Sequence, residues 1–191
     1  HRSIRRQRQM CIRDSFSPAL SSEKQTAMNG GFRYAPATRI YIQFNNRFWE
    51  NESLNGWGNT DLPEEIWQPS WDMTGNTGVL MSYLRWSAAE DMDTLNQDER
   101  NNAVLNRWEN IFEGSINNFD KGVSKSWVLD EWSKGAWASP TTSQNETLNE
   151  SIAQIEGRIH FAGEHASNDR GWMQGALFSG LRAATEIKNS N

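Results

Sequence analysis

The chain has 191 residues, with 19 lysines and arginines against 24 aspartates and glutamates and a net charge of −5. That acidic balance argues against a nucleic-acid partner, which needs a basic surface to neutralise phosphate. A mean hydropathy of −0.79, with no apolar run of roughly 18 residues, leaves no membrane-spanning helix in this sequence.

The size suits one domain or two small ones. A hydrophobic fraction of 36% is low for a globular chain, and ten tryptophans partly offset it by the area each ring can bury. Cys11 is the one cysteine, and His1, His160 and His165 are the histidines, so no internal disulfide framework and no thiolate metal cage can form.

Residues 1–13 hold Arg2, Arg5, Arg6, Arg8 and Arg13 and no acid, which leaves −10 for the rest. The run has neither the apolar core of a secretory signal nor the regularity of a transit peptide, so compartment is left open. A basic arm for an acidic partner is one reading. The reading adopted is a non-native or disordered leader over 1–14, with the chain then expected to be a fragment.

Ser21 to Met28 reads as a short helix capped by Ser21 and stopped at Gly30-Gly31 by a left-handed glycine. Ala37 to Phe44 alternates Ile40, Ile42 and Phe44 against Arg39, Tyr41 and Gln43, the period of a half-buried strand. Residues 51–77, rich in Asn, Gly, Thr, Pro and Trp, predict loops and short strands. Gly78 to Trp86 is a strand, and Asn96 to Phe112 an amphipathic helix carrying Ala103, Leu105, Trp108 and Phe112. Val123 to Trp132 is a further strand candidate, and 139–156 a polar connection. Arg158 to Gly163 predicts a short buried strand. Gly171 to Lys188 predicts a helix with Met173, Ala176, Leu177, Leu181 and Ala184 near one face. The class is α+β or α/β.

The densest local chemistry lies in RIHFAGEHASNDRGWMQGALFSGLRAATEI. Glycines where the helix opens let a ligand approach the backbone, and its free N–H groups attract anionic groups. Glu164 on the preceding loop is placed to accept hydroxyl hydrogen bonds from a ribose or ribityl chain. His160, Glu164 and His165 do not make a zinc motif, because H-x-x-E-H needs two intervening residues where this chain has three, so no metal site is assigned. The sequons at Asn51, Asn145 and Asn149 are what an Asn-rich chain yields by chance.

Phe161-Ala162-Gly163-Glu164-His165, then Gly171-Trp172-Met173-Gln174-Gly175-Ala176, then Ser179-Gly180-Leu181-Arg182-Ala183-Ala184 together resemble the end of the flavin-containing amine oxidases, closest to the L-amino-acid oxidase branch. Phe16-Ser17-Pro18-Ala19-Leu20 with Glu23-Lys24, Thr38-Arg39-Ile40 through Arg47-Phe48-Trp49-Glu50, Gly78 to Tyr83, and Ser126-Trp127 with Gly135-Ala136-Trp137 also find counterparts. The likeness covers roughly 16–188, as the C-terminal portion of a family member.

The resemblance implies a partial flavin amine oxidase fold: a substrate-domain mixed sheet with helices, plus the C-terminal strand and helix of the FAD-binding domain. Residues 15–156 would be mostly substrate-binding domain, with the strand near 123–132 leading back to the FAD. Residues 157–188 would be the FAD-binding strand–loop–helix and 189–191 a tail. No G-x-G-x-x-G occurs, Gly56-Trp57-Gly58 lacking its third glycine, so the AMP-binding half would lie elsewhere.

By the same resemblance, Gly163, Glu164, Gly171, Trp172, Met173, Gln174, Gly175 and Ala176 would contact FAD, with Trp127 near its ring. Trp137 and Trp172 would wall the ring and, with Gly171, line the substrate site, and all three tryptophans would converge near the Gly171 helix start. Tyr83 would bond the substrate carboxylate, its usual arginine partner coming from upstream. The implied reaction is hydride transfer from the substrate Cα to flavin N5, reoxidation by O2 to hydrogen peroxide, and release of keto acid and ammonia. Trp172 and Arg39 would take catalytic positions, with Arg39 standing where the family carries a lysine that holds a water near N5. Arginine keeps the cation but has a planar fork.

The substrate would be an amine or L-amino acid, and the full-length parent could be a homodimer. A monoamine or polyamine oxidase and a non-catalytic, tryptophan-rich binding module are the alternatives. The isolated chain would be inactive.

Overall fold

Strand alternation organises residues 36–130, which form one unit. The computed structural model describes residues 16–62 and 64–190; the basic leader read at 1–14 lies outside the described residues. Strand β2 (Ala37–Phe44) has the expected bounds. Its period of two buries Ile40, Ile42 and Phe44 completely and leaves Arg39, Tyr41 and Gln43 on the more open face.

β2 pairs antiparallel with β5 (Gly78–Arg85) from Ala37↔Arg85 to Phe44↔Gly78. On its other side it pairs with β6 (Phe119–Ser126). β3 (Gly58–Asn59) and β4 (Glu64–Trp67) complete the order β3-β4-β5-β2-β6.

Helices α2 (Ser87–Asp93) and α3 (Gln97–Trp108) cover the buried face. Asn96 starts α3 because its side chain accepts the Asp98 and Glu99 amides while Glu99 reaches back to the Asn96 amide at 2.8 Å. Val104, Leu105 and Trp108 then meet Phe44, Phe48, Trp49 and Leu84 in the core. Each such aliphatic or aromatic side chain contributes roughly 1.5–3 kcal/mol by leaving water. One carboxylate shares this interior: Glu64 accepts from Ser82 Oγ, from Thr60 Oγ1 at 3.0 Å and from Arg107 at 3.3 Å.

The second unit joins residues 16–35 to 131–190. It contains α1 (Ser22–Thr26), strands β1 (Tyr34–Ala35) and β7 (Trp137–Ala138), α4 (Thr142–Ala153) and α5 (Met173–Asn189). β1 and β7 pair antiparallel, Tyr34↔Ala138 and Ala35↔Trp137. Phe32, Ala138, Leu148, Ile152 and Ala166 form its core. The buried Lys24 ammonium closes the end of α4, donating to the carbonyls of Ser151 at 2.7 Å, Ile152 at 3.0 Å and Gln154 at 2.7 Å. The same ammonium sits 3.6 Å from the Phe161 ring centroid.

Four expectations change. The first helix has its Ser21 cap and ends at Gly31 as expected, but its last turn, Ala27–Gly31, is π-type and leads straight into extended Phe32. The strand read at 123–132 is shifted to Phe119–Ser126, because pairing with β2 sets its limits and one half of an edge strand can be polar. The polar connection 139–156 contains α4, started by a Thr141/Gln144 capping box and buried only at Leu148 and Ile152, one turn apart.

Arg158 to Gly163 forms no strand; its backbone has a single bridge, Glu156↔Ile159, and the Phe161 carbonyl accepts from Arg182 at 2.7 Å. As compact units the chain divides at 35/36 and 130/131. The helix expected at 171–188 is α5; it buries small residues, Gly175, Ser179 and Ala183, and carries its apolar stripe outward, with Met173 80% and Leu177 72% exposed.

Candidate active site

Three short sequence pieces meet at the start of α5. Gly163 takes φ +151 and is followed by a single turn of 3-10 helix, Glu164–Ala166. The Glu164 carboxylate divides its oxygens between two backbone amides, Ala138 of β7 at 2.9 Å and Gly171 at 2.8 Å. Ser179, two turns into α5, accepts the Gly163 amide at 2.9 Å and donates to the Gly163 carbonyl at 2.8 Å. The spacing of Gly163-Glu164, Gly171 and Ser179 is therefore the spacing of one hydrogen-bonded bracket.

Gly171, at φ +76, carries no side chain toward Trp137; a Cβ there would stand 3.3 Å from the Trp137 ring. Gly175 lies against the Asp169 carbonyl so closely that any Cβ would collide with backbone. These glycines bring the 167–171 loop down onto the first turn of α5. Trp172 precedes the helix with extended backbone (φ −122, ψ 148), and its ring is 70% exposed. The N-cap gives no side-chain hydrogen bond, and the first turn holds no acid. The first amides of α5 are thus free of a side-chain cap, with the positive end of the helix dipole beside them.

Arg170 braces the loop from behind, donating to the His165 carbonyl at 3.3 Å, to Asn145 at 2.8 Å and to Asn149. Burial pushes the His165 imidazole below its ordinary value of 6.5, against the opposing pull of Glu164. His160 faces Glu186 at 3.2 Å. Among the described residues no cluster of three His, Cys, Asp or Glu side chains could hold a metal ion.

In the sheet unit, Arg39 and Tyr83 are direct partners across β2 and β5. The Arg39 guanidinium lies 4.6 Å and that of Arg85 5.5 Å from the Tyr83 ring centroid. Trp67 meets Tyr83 edge-on at 6.1 Å, and Trp57 stacks on Trp67 at 5.7 Å. Trp127 follows β6 in the same unit, its amide bonded to the Ala37 carbonyl at 3.0 Å. The structure therefore groups Gly163, Glu164, Gly171 to Ala176 and Trp137 in one unit, and Arg39, Tyr83 and Trp127 in the other.

Sequence reasoning assigned no role to Ser179, Arg170 or Lys24. The signal for Ser179 was the run of small residues Gly175, Ser179 and Ala183 at a four-residue spacing, the mark of a helix face pressed against backbone.

The chain, with its antiparallel sheet, glycine–glutamate loop and uncapped helix, is similar over most of its length to flavin-dependent oxidoreductases. A family model described as flavin containing amine oxidoreductase matches residues 6–188, and the chain belongs to that family. It is 34% identical over 180 residues to an L-amino-acid oxidase of Siganus canaliculatus, covering 90% of this chain and 34% of that protein. An L-amino-acid oxidase of Bungarus fasciatus is 30% identical over 185 residues, covering 94% and 36%. Among solved structures, a putrescine oxidase redesigned for cofactor binding superposes with a TM-score of 0.83 at 19% identity, over 96% of this chain and 41% of that one. A cyclohexylamine oxidase from Brevibacterium oxydans gives 0.78 at 19% identity, over 95% and 41%. The chain spans about a third of the length of these relatives (34% and 36%).

Proposed function

We propose that the chain is the substrate-side and C-terminal portion of an FAD-dependent L-amino-acid oxidase. The observation that supports this best is the bracket at the start of α5, where Glu164 and Ser179 fix the loop before a helix whose first amides have no side-chain cap. Such an end suits an anionic dinucleotide: it offers N–H donors and the positive end of the dipole, and the first turn of the helix itself carries no acid. FAD held there by Gly163, Glu164 and the 171–176 backbone would supply the two-electron acceptor for oxidation at the substrate Cα, with dioxygen as terminal oxidant going to hydrogen peroxide and water hydrolysing the imino acid to keto acid and ammonia.

The chain's own residues bind, orient and shield. Gly163, Glu164 and the backbone of 171–176 hold the cofactor, and Trp127 lies beside its ring. Trp137 and Trp172 are the aromatic walls; they fix the substrate's orientation and add no charge, which favours the neutral amine. The Tyr83 hydroxyl donates to the substrate carboxylate. Arg39 occupies the position where the family carries its lysine.

The chain contains no G-x-G-x-x-G. The reading therefore requires an AMP-binding half from sequence outside these 191 residues, and the isolated chain is inactive under it. Extending the coding sequence upstream of Ser15 and expressing the longer product tests the proposal. The expected result is an in-frame strand–GxGxxG–helix unit, tightly held flavin, and peroxide release on addition of L-amino acids. A start codon near residue 15, or a longer product without flavin, would overturn it.

A further inference from the structure

Three oxidisable rings touch in sequence on the open face of the sheet. Glu65 and Trp67 stand two apart on β4, on the side they share with Tyr83, the residue opposite Glu65 on β5. Trp67 meets Tyr83 edge-on with ring centroids 6.1 Å apart, and Trp57 stacks on Trp67 at 5.7 Å with 29° between the planes. Trp57 stands half in water, 50% exposed. The sheet core is built differently. There Phe44 stands between Trp49 and Trp108, and a phenylalanine ring gives up an electron far less readily than an indole or a phenol.

The charges along the stack differ from end to end. The Arg39 and Arg85 guanidiniums lie 4.6 Å and 5.5 Å from the Tyr83 centroid, and positive charge that close opposes the loss of an electron. The Tyr83 hydroxyl makes no hydrogen bond among the described residues, so no protein base stands ready for its proton. Trp67 is the reverse case. Its indole N–H donates to the Glu65 carboxylate at 3.1 Å, and Arg85 holds that carboxylate in place at 2.6 Å. A carboxylate on the N–H favours the oxidised indole, which is positively charged until its proton leaves. A missing electron is therefore least stable at Tyr83 and more stable at Trp67, and at Trp57 the freed proton has water to go to.

We propose that Tyr83, Trp67 and Trp57 form a relay that carries a one-electron oxidation from the face of the sheet out to water. A radical oxidant, of the class that peroxide gives rise to, takes an electron from Tyr83 and becomes an anion, while the hydroxyl proton leaves to water. The phenoxyl takes an electron from Trp67 and a proton from water. Trp67 takes an electron from Trp57, and the Trp57 indole proton goes to water. A thiol in solution then returns a hydrogen atom to Trp57 and is itself oxidised. The net effect moves the reactive radical from Tyr83 to an exposed ring at the edge of the sheet. The relay goes beyond the oxidase reading and does not rest on it; under that reading it spares Tyr83 from the oxidants that peroxide generates.

The test uses the 191-residue chain without flavin or thiol, illuminated with tris(bipyridyl)ruthenium and a cobalt(III) quencher as the one-electron oxidant. Peptide mass spectrometry then locates the oxidised residues. Trp71 is the reference, since it is 67% exposed and has no ring contact among the described residues. Trp57 is expected to be oxidised more than Trp71 although it is the less exposed, with Tyr83 largely spared. Trp67→Phe should invert that ratio and raise the damage at Tyr83. Trp57→Phe, at an exposed position, serves if the Trp67 variant does not fold, and should make oxidation build up at Trp67 and Tyr83. Oxidation of Trp57 and Trp71 in the order of their exposure, a ratio unchanged by Trp67→Phe, or undamaged Trp67 and Tyr83 in Trp57→Phe would overturn the relay. An exposure-ordered pattern beside a flavin-bound, peroxide-releasing extended protein removes the relay alone. The relay pattern beside an extended product without flavin removes the oxidase reading alone.

Discussion

The Ser179 hydroxyl serves both peptide groups of Gly163 from 16 residues away, accepting its amide at 2.9 Å and donating to its carbonyl at 2.8 Å. Ser179 is 2% exposed, so no water takes its place when it is removed. Ser179→Ala should cost about 1–3 kcal/mol of stability, the penalty for stranding buried polar groups. Urea titration of the variant measures it. Glu164→Gln keeps one acceptor oxygen and sets an NH2 donor against the other of the Ala138 and Gly171 amides, so it should destabilise in the same assay although it is nearly isosteric.

Two glycines of α5 should respond in opposite directions. At Gly175 an added methyl runs into the Asp169 carbonyl, which is backbone and cannot swing aside, so Gly175→Ala should destabilise by about 1–3 kcal/mol. Gly180 has nothing within 4 Å of the added carbon, and Gly180→Ala should stabilise by roughly 0.5–1 kcal/mol through lower unfolded-state entropy. Melting temperatures of the two single variants decide it.

Acid should loosen the unit that carries the bracket before it loosens the sheet. Burial holds folded His165 below its ordinary 6.5, so below that pH the unfolded chain takes up a proton that the folded chain refuses. The associated stability is fully present above 6.5 and is lost as the pH falls through the folded value. His165→Gln should flatten the pH dependence of melting in this range. Glu109, held low by the Ile116 and Gly114 amides, acts only below its ordinary 4.5 and marks a separate, more acidic step.

Glu64 is the charge the sheet core can least afford to strand. Its side chain is wholly buried and bonded to Ser82, Thr60 and Arg107. Arg107→Ala removes its counter-charge and should cost about 3–5 kcal/mol, whereas replacing both partners by apolar residues of similar volume should cost far less. A double-mutant cycle in urea separates the two cases.

Tyr83→Phe in the extended flavoprotein should raise KM for an L-amino acid about tenfold, the loss of one hydrogen bond to a charged group, and barely alter KM for the corresponding amine. Steady-state assays with the matched pair of substrates check this. Equal effects on both would remove Tyr83 from carboxylate recognition.

Where the covering surface lay within the same segment, periodicity was enough. β2 and β5 follow from alternation and from strand length, and the Asn96 cap with Glu99 fixes the start of α3. Elements whose sidedness depends on distant partners were harder. β6 is polar over most of its length because it lies at a sheet edge, and α4 touches its core through Leu148 and Ile152 alone. Apolar spacing in α5 marked one face, but only the structure shows that the buried side is the opposite run of glycine, serine and alanine beside the 163–171 loop. The residues of the bracket could be named from the sequence, but their bonds could not, because Glu164 and Ser179 act on backbone groups that leave no trace in residue type.

Residues 36–130 lie between the two segments of the other unit, and this sets an order of events during synthesis. Everything the sheet needs has left the ribosome once Asp130 has emerged. Lys24, by contrast, must wait for the Ser151 carbonyl 127 residues later. At about 5–20 residues per second that is a delay of roughly 6–25 s. β1 waits a shorter time, until β7 at 137–138 is made, and a stalled or shortened chain ending near residue 130 would hold every strand of the sheet but neither β7 nor α4 for the amino-terminal segment to close upon.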